Sequence, residues 1–111
     1  MKLLSLMAKA LGMKEEDMMT VFGDGLQSIR IGHYPPCLEP EKVIGISAHS
    51  DASGITILLQ ATDVDGLQIK KDGKWVPIKP LPDAFIVNIG DSLEVIVAII
   101  HSVTNFFFFL W

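Results

Sequence analysis

The chain has little of the chemistry that several large protein classes require. Its 111 residues contain one cysteine, Cys37, so no disulfide can form within the chain, and a reducing, cytoplasmic environment is the simplest expectation. The sequence has no basic cluster, and its net charge of -4 argues against a nucleic-acid partner. It also lacks an internal repeat and a linker, and its length allows one domain or less.

A long uninterrupted hydrophobic run is also missing. Residues 95–100 and 106–111 are apolar, but the largely polar segment 101–105 separates them. A helix that spans a bilayer needs about 20 consecutive apolar residues and rarely tolerates such a break. Near the N-terminus, Lys9 interrupts the apolar residues and no small-residue cleavage site follows, which argues against a signal peptide. A membrane-tethered interaction module that uses the Phe-rich tail is therefore kept only as an alternative function.

The residues that are present predict helices first and strands afterwards. Half of the residues are hydrophobic, which is enough to build a core. Apolar residues at helical spacing predict a first helix that ends at Gly12, and residues 14–22 predict a second helix with three acids in its first turn. Short apolar segments separated by turn signals follow, and they are typical of an antiparallel sandwich or barrel. The predicted strands cover residues 28–34, 43–49, 55–60, 66–70, 75–78 and 84–89, with an Asp72-Gly73 hairpin turn between the fourth and fifth strands.

The most informative motif is His49-Ser50-Asp51, at the end of an alternating apolar run. Residues two apart on a strand share a face, so the His49 and Asp51 side chains are expected to project together, with Ser50 on the other side. An imidazole nitrogen beside a carboxylate oxygen can hold one metal ion, and a second histidine would complete the facial triad of non-haem Fe(II) oxygenases. Taken alone, the spacing of the triplet favours a hydrogen-bonded histidine beside a surface aspartate over a metal site.

A family resemblance favours the metal site. The segments that carry it include YPPC at 34–37, HSD at 49–51 and NIGDSLE at 88–94, together with residues 24–28, 39–45, 54–60 and 66–77. Through these segments, much of the chain resembles the plant 2-oxoglutarate- and Fe(II)-dependent dioxygenases, in the branch that includes senescence-related proteins and alkaloid O-demethylases.

The resemblance implies a mainly β fold with N-terminal helices, a partial double-stranded β-helix (jelly roll) that is incomplete at its C-terminal end. It divides the chain into a helical segment over 1–26, a partial dioxygenase domain over 27–96 and an apolar tail over 97–111. It assigns iron ligation to His49 and Asp51, and contact with the co-substrate 2-oxoglutarate to Tyr34, which could instead anchor the proline-rich turn. The implied reaction is hydroxylation or O-demethylation of a small plant metabolite with dioxygen, and no further catalytic side chain is implied.

The chain also departs from the family pattern. The second iron histidine is expected at about Phe106, and the arginine and serine that hold the far carboxylate of 2-oxoglutarate would lie beyond Trp111. His101 lies five residues too early, an offset that moves its side chain away from the site, so it is not expected to substitute. Gly32 stands where many relatives have asparagine. A catalytically inactive truncated product, or a binding-only module, is therefore the alternative function, and the oligomeric state stays open.

Overall fold

A computed structural model describes residues 2–23 and 25–101, with the side chains of residues 100 and 101 excepted. The chain divides into two compact units, Met1–His33 and Tyr34–Trp111. In chain order, the elements are α1 (Lys2–Ala10), α2 (Glu15–Phe22), a short 3-10 helix (Pro40–Lys42), β1 (Ile55–Leu58), β2 (Gln68–Lys71), β3 (Lys74–Pro77), β4 (Ile86–Ile89) and α3 (Asp91–His101).

The first unit contains both predicted N-terminal helices, which pack against each other. α1 ends in a Schellman motif, in which the Gly12 amide donates to the Lys9 carbonyl and the Met13 amide donates to the Ala8 carbonyl. Ala8 and Met18 are fully buried and form the core of this helix pair. The acidic first turn of α2 is present as expected, at the end of the helix where the backbone dipole favours negative charge.

The second unit contains two antiparallel sheets of two strands each. β2 and β3 form the predicted hairpin, and its turn residues Asp72 and Gly73 have φ angles of 51° and 76°. Both values lie in the left-handed region that a type I′ turn requires, which explains the Asp-Gly pair. β1 pairs with β4, with Ile55 opposite Ile89 and Thr56 opposite Asn88. This second pairing joins segments that are far apart in the sequence.

Two predicted strands, 28–34 and 43–49, are wrong. In the described part of the chain, the first segment has no regular structure, and the second contains only an isolated bridge at His49. A strand is stable when its backbone pairs with a neighbouring strand, and alternation of apolar residues cannot reveal whether that neighbour exists. Ile29 and Ile31 are 89% and 91% exposed, so no packing replaces the missing pairing.

The helix α3 was not predicted. It begins directly after β4, carries Asp91 and Glu94 in its first turn, and buries Leu93 completely. These acids are the sequence signal that could have revealed it, since they suit the start of a helix. The backbone of α3 continues to His101, whereas residues 102–111 of the predicted apolar tail lie outside the described residues. In the described part of the chain, no helix is both long enough and apolar enough to cross a bilayer.

Packing in the second unit is open. Ile57 and Val87 lie opposite each other in the β1–β4 ladder and remain 56% and 46% exposed. A cavity of about 220 Å³ opens beside β4, lined by Leu67, Ile69, Ile78 and residues 86–89. The side-chain amide nitrogen of Asn88 is buried without a hydrogen-bond partner among the described residues, which is a destabilising arrangement. The sheets of this unit therefore bury only part of their apolar surface.

Gly90 lies at the junction between β4 and α3, where two segments of the chain come very close. Its amide donates to the Gly54 carbonyl over 2.9 Å. A Cβ atom at position 90 would lie only 2.0 Å from the Ser53 carbonyl oxygen and 2.8 Å from the Asp51 carbonyl oxygen. Because both contacts are with backbone atoms, a side chain here can be accommodated only if the loop moves.

We predict that Gly90→Ala destabilises the protein by about 1–3 kcal/mol, the usual cost of overpacking a tight contact. The measurement is the midpoint of chemical denaturation compared with the unaltered chain. Gly66→Ala is the matched control, because nothing lies within 4 Å of a Cβ atom at that position. Equal midpoints for the two variants would contradict the close approach at Gly90.

Candidate metal centre

His49 presents one ring nitrogen to the site and uses the other to hold its orientation. Its Nδ1 lies 2.7 Å from the Ser47 carbonyl oxygen. A carbonyl can only accept a hydrogen bond, so Nδ1 carries the proton in this contact, and Nε2 of the neutral ring keeps its lone pair. In metal-binding histidines, the ring nitrogen that does not bind the ion commonly donates to a backbone carbonyl in this way. The side chain is 38% exposed, so an ion can reach it from solvent.

Asp51 is oriented in a corresponding way by a residue at the start of β1. The Thr56 hydroxyl donates to Oδ2 of Asp51 over 2.5 Å, and this contact is partly buried. The other oxygen, Oδ1, lies 3.6 Å from Nε2 of His49. The Asp51 side chain is 22% exposed, less than that of His49. The two atoms that face each other are thus Nε2 of His49, which carries a lone pair, and a carboxylate oxygen of Asp51.

This pair of atoms fits a metal ion. Their separation of 3.6 Å is too long for a direct hydrogen bond. It is within reach of one shared ion, since two metal–ligand bonds of about 2.1 Å each span up to about 4.2 Å. Imidazole suits iron, zinc, copper and nickel, and carboxylate adds negative charge. The arrangement is thus chemically able to supply two protein ligands to one divalent cation.

A network of hydrogen bonds joins the loop that carries Asp51 to the start of α3. The Asp91 amide donates to the Asp51 carbonyl over 2.7 Å. The Ser50 hydroxyl donates to Oδ2 of Asp91 over 3.0 Å, and the Ser92 hydroxyl donates to the Ala52 carbonyl over 2.7 Å. Ser50 therefore contacts the start of α3, whereas the side chains of His49 and Asp51 face each other. These contacts place the loop relative to the rest of the second unit.

Sequence reasoning missed the supporting roles of Thr56, Asp91 and Ser92. All three belong to the segments that carry the family resemblance, without a role in the site. The available signal is chemical, since hydroxyl and carboxylate side chains lie in strand β1 and directly after strand β4, next to apolar residues. Whether Asp91 reaches Asp51 depends on the pairing of β1 with β4, which the sequence does not reveal.

Tyr34 packs against the backbone of a nearby glycine. A Cβ atom at Gly45 would lie 3.2 Å from Cε1 of the Tyr34 ring, so the ring rests on the face that glycine leaves open. The side chain is 63% exposed. This contact agrees with the interpretation of Tyr34 as an anchor of the proline-rich turn, and it leaves the predicted contact with 2-oxoglutarate a prediction.

No third ligand joins the pair among the side chains that the structure describes, where no cluster of three His, Cys, Asp or Glu residues forms. The expected histidine position, Phe106, lies outside the described residues, as does the side chain of His101. The expectation that His101 does not substitute therefore stays a prediction.

Comparisons with known proteins bear on the family to which the chain belongs. The family described as the 2OG-Fe(II) oxygenase superfamily matches residues 23–104. The chain is 55% identical to an oxoglutarate-dependent flavonoid 7-O-demethylase of Ocimum basilicum, over 86% of this chain and 26% of the relative. It is 58% identical to protein SRG1 of Arabidopsis thaliana, over 85% of this chain and 27% of the relative. It is 56% identical to codeine O-demethylase of Papaver somniferum, over 81% of this chain and 25% of the relative.

A solved structure supports the same assignment. The crystal structure of JOX2 in complex with 2OG, Fe and JA matches with a TM-score of 0.71 and 41% identity, over 84% of this chain and 28% of that one. This match confirms the predicted fold class, an incomplete oxygenase fold with N-terminal helices. The chain thus spans about a quarter of the length of these relatives. On the evidence of the family match and these relatives, the chain belongs to the 2OG-Fe(II) oxygenase superfamily.

Proposed function

We propose that this chain carries the metal-binding segment of a 2-oxoglutarate- and Fe(II)-dependent oxygenase, with His49 and Asp51 as iron ligands. The observation that carries the proposal is the pairing of Nε2 and Oδ1 at 3.6 Å, while the other polar atom of each side chain is held by a hydrogen bond. An arrangement in which both donor atoms are oriented before the ion arrives reduces the cost of binding it.

In the proposed site, the metal ion and the protein residues have different roles. Bound Fe(II) would supply the oxidation chemistry, using dioxygen and the co-substrate at the coordination positions that a facial triad leaves open. The chain's own residues would hold the ion and set its orientation. His49 does so as a neutral ligand and Asp51 as an anionic one, so the pair neutralises part of the charge of a divalent cation.

Contact with 2-oxoglutarate is proposed for Tyr34. A phenol hydroxyl can donate a hydrogen bond to a carboxylate, and bonds of this charge-assisted kind are stronger than neutral ones. The exposed position of the side chain and its packing on Gly45 support the proposal, because the ring is held while it remains accessible to a ligand. The hydroxyl would then fix one end of the co-substrate.

The proposed substrate is a small plant metabolite that is hydroxylated or O-demethylated. Support comes from the relatives, two of which are named for O-demethylation, one of a flavonoid and one of codeine. Specific substrate identity depends on pocket residues that this chain, at about a quarter of their length, mostly does not include. We also infer a cytoplasmic location, which the free and exposed thiol of Cys37 supports.

A second candidate function, a metal-binding segment without turnover of its own, rests on the departure from the family pattern, since Phe106 stands where the second iron histidine is expected. Two protein ligands hold an ion less tightly than three, and the open positions are then filled by water. Under this alternative, metal binding by His49 and Asp51 persists while oxidation of a substrate does not occur.

The ligand assignment predicts the effect of two substitutions on binding of Co²⁺, a spectroscopic substitute for Fe²⁺. We expect His49→Ala and Asp51→Asn each to lower Co²⁺ affinity by more than about 10-fold, because each removes a ligand atom or its charge. Affinity is measured by titration calorimetry on the purified chain.

Matched controls separate this site from nonspecific binding. His33→Ala and Asp65→Asn remove an exposed imidazole and an exposed carboxylate elsewhere, and they should leave the affinity unchanged. If the control variants lose as much affinity as the site variants, the assignment of His49 and Asp51 is wrong.

The proposed co-substrate contact predicts that Tyr34→Phe weakens binding of 2-oxoglutarate to the Co²⁺-loaded chain by about 10-fold, since hydrogen bonds to charged groups contribute about 1.5–3 kcal/mol. The ring is kept, so the packing on Gly45 should persist and Co²⁺ affinity should not change. Unaltered 2-oxoglutarate affinity would leave Tyr34 only its structural role in the turn.

The two candidate functions differ in turnover of 2-oxoglutarate. With Fe²⁺ and dioxygen supplied, we expect little or no succinate from the chain as given, because Phe106 stands where the second iron histidine is expected. Succinate release is measured by chromatography, with the His49→Ala variant as the blank. Release well above that blank would exclude the inactive alternative.

A further inference from the structure

We propose that Thr56 is a positioning residue that selects Oδ1 of Asp51 as the metal-binding atom. This inference rests on the proposed function, since it concerns how the same ligand is oriented. It assigns a role in the site to a residue that is neither a proposed metal ligand nor the proposed 2-oxoglutarate contact. The structural basis is the hydrogen bond from the Thr56 hydroxyl to Oδ2 of Asp51.

The two oxygens of a carboxylate are chemically equivalent until their surroundings distinguish them. At Asp51, the distinction comes from Thr56 on one side and His49 on the other. Oδ2 accepts the Thr56 hydroxyl over 2.5 Å, whereas Oδ1 lies 3.6 Å from Nε2 of His49. A proton donor on Oδ2 uses one of its lone pairs and holds the plane of the carboxylate. The ion then meets Oδ1, and binding through both oxygens is disfavoured.

The threonine is itself well placed for this task. It lies within strand β1, where its backbone pairs with Asn88 of β4, so the hydroxyl projects from a regular ladder and not from a free loop. The Ser53 hydroxyl lies 3.3 Å from the Thr56 hydroxyl and gives it a second polar neighbour. β-branched side chains have few allowed rotamers, which limits the directions in which the hydroxyl can point.

The backbone of Asp51 is held separately from its side chain. The Asp91 amide binds the Asp51 carbonyl over 2.7 Å, and this bond involves no atom of Thr56. Loss of the Thr56 hydroxyl should therefore release rotation of the Asp51 carboxylate while its main chain stays in place. This separation makes the positioning role distinguishable from a general role in the fold.

The test compares two substitutions at position 56 in the full chain, with Co²⁺ alone as the probe. Thr56→Val keeps the β-branched shape and removes the hydroxyl, whereas Thr56→Ser keeps the hydroxyl and removes the branch. We expect Thr56→Val to lower Co²⁺ affinity by about 10-fold, the lower end of the usual effect of such supporting residues. We also expect Thr56→Val to change the visible absorption spectrum of bound Co²⁺, which reports the number and arrangement of ligands. Thr56→Ser should keep the affinity and the spectrum of the unaltered chain.

Thr20→Val is the matched control. The Thr20 hydroxyl donates to the Glu16 carbonyl within α2, so this variant removes one hydroxyl hydrogen bond far from the ligand pair in sequence. It should leave the affinity and the spectrum unchanged. Thermal unfolding of each variant without metal shows whether the chain is still folded.

The outcomes separate the positioning role from the proposed function. If the unaltered chain binds no Co²⁺, both the metal site and the role of Thr56 are overturned. If it binds and Thr56→Val binds equally well with the same spectrum, only the positioning role is overturned. If Thr56→Ser lowers Co²⁺ affinity and Thr56→Val does not, the β-branched shape of the side chain matters and its hydroxyl does not. Thr56 then only supports the fold, and the positioning role is likewise overturned.

Discussion

The hydrogen bond from the Asp91 amide to the Asp51 carbonyl is the contact on which the second unit depends. It joins two segments that are 40 residues apart in the chain, at the point where β1 and β4 come together and α3 begins. The Gly90 amide and the side chains of Ser50 and Ser92 add further bonds across the same junction. Because Gly90 lacks a side chain, the backbones can approach closely enough for these bonds to form. The loop that carries the metal-ligand pair is thereby attached to a strand and a helix at once.

Orientation of the two ligand atoms comes from contacts that are much closer in sequence. Ser47 is two residues from His49, and Thr56 is five residues from Asp51, so both partners belong to the segment 47–56. The site is thus built on two scales: short-range bonds orient the side chains, and the long-range junction places the loop. Neither His49 nor Asp51 lies in a regular strand, because only an isolated β-bridge forms at His49. The combination of short-range and long-range bonds explains how their side chains are nevertheless held in place.

The chain spans about a quarter of the length of its relatives, and its packing agrees with that extent. Fully buried hydrophobic side chains among the described residues are limited to Ala8, Met18 and Leu93, while apolar strand residues such as Ile57 remain exposed. Burial of apolar surface is the main favourable term in folding. A unit with this much exposed apolar surface therefore has a small free energy of unfolding.

Sequence alone determined the local features. Helical periodicity predicted α1 and α2, the Asp72-Gly73 pair predicted the β2–β3 hairpin, and the motif around His49 and Asp51 pointed to the family that the comparisons confirmed. Each of these signals is encoded within a few neighbouring residues. The tertiary structure alone decided which apolar segments become strands, that α3 follows β4, and that Asp91 contacts Asp51. The physical reason is that strand formation and long-range hydrogen bonds within the chain require a partner from a distant segment. Local alternation of residues carries no information about whether that partner is present.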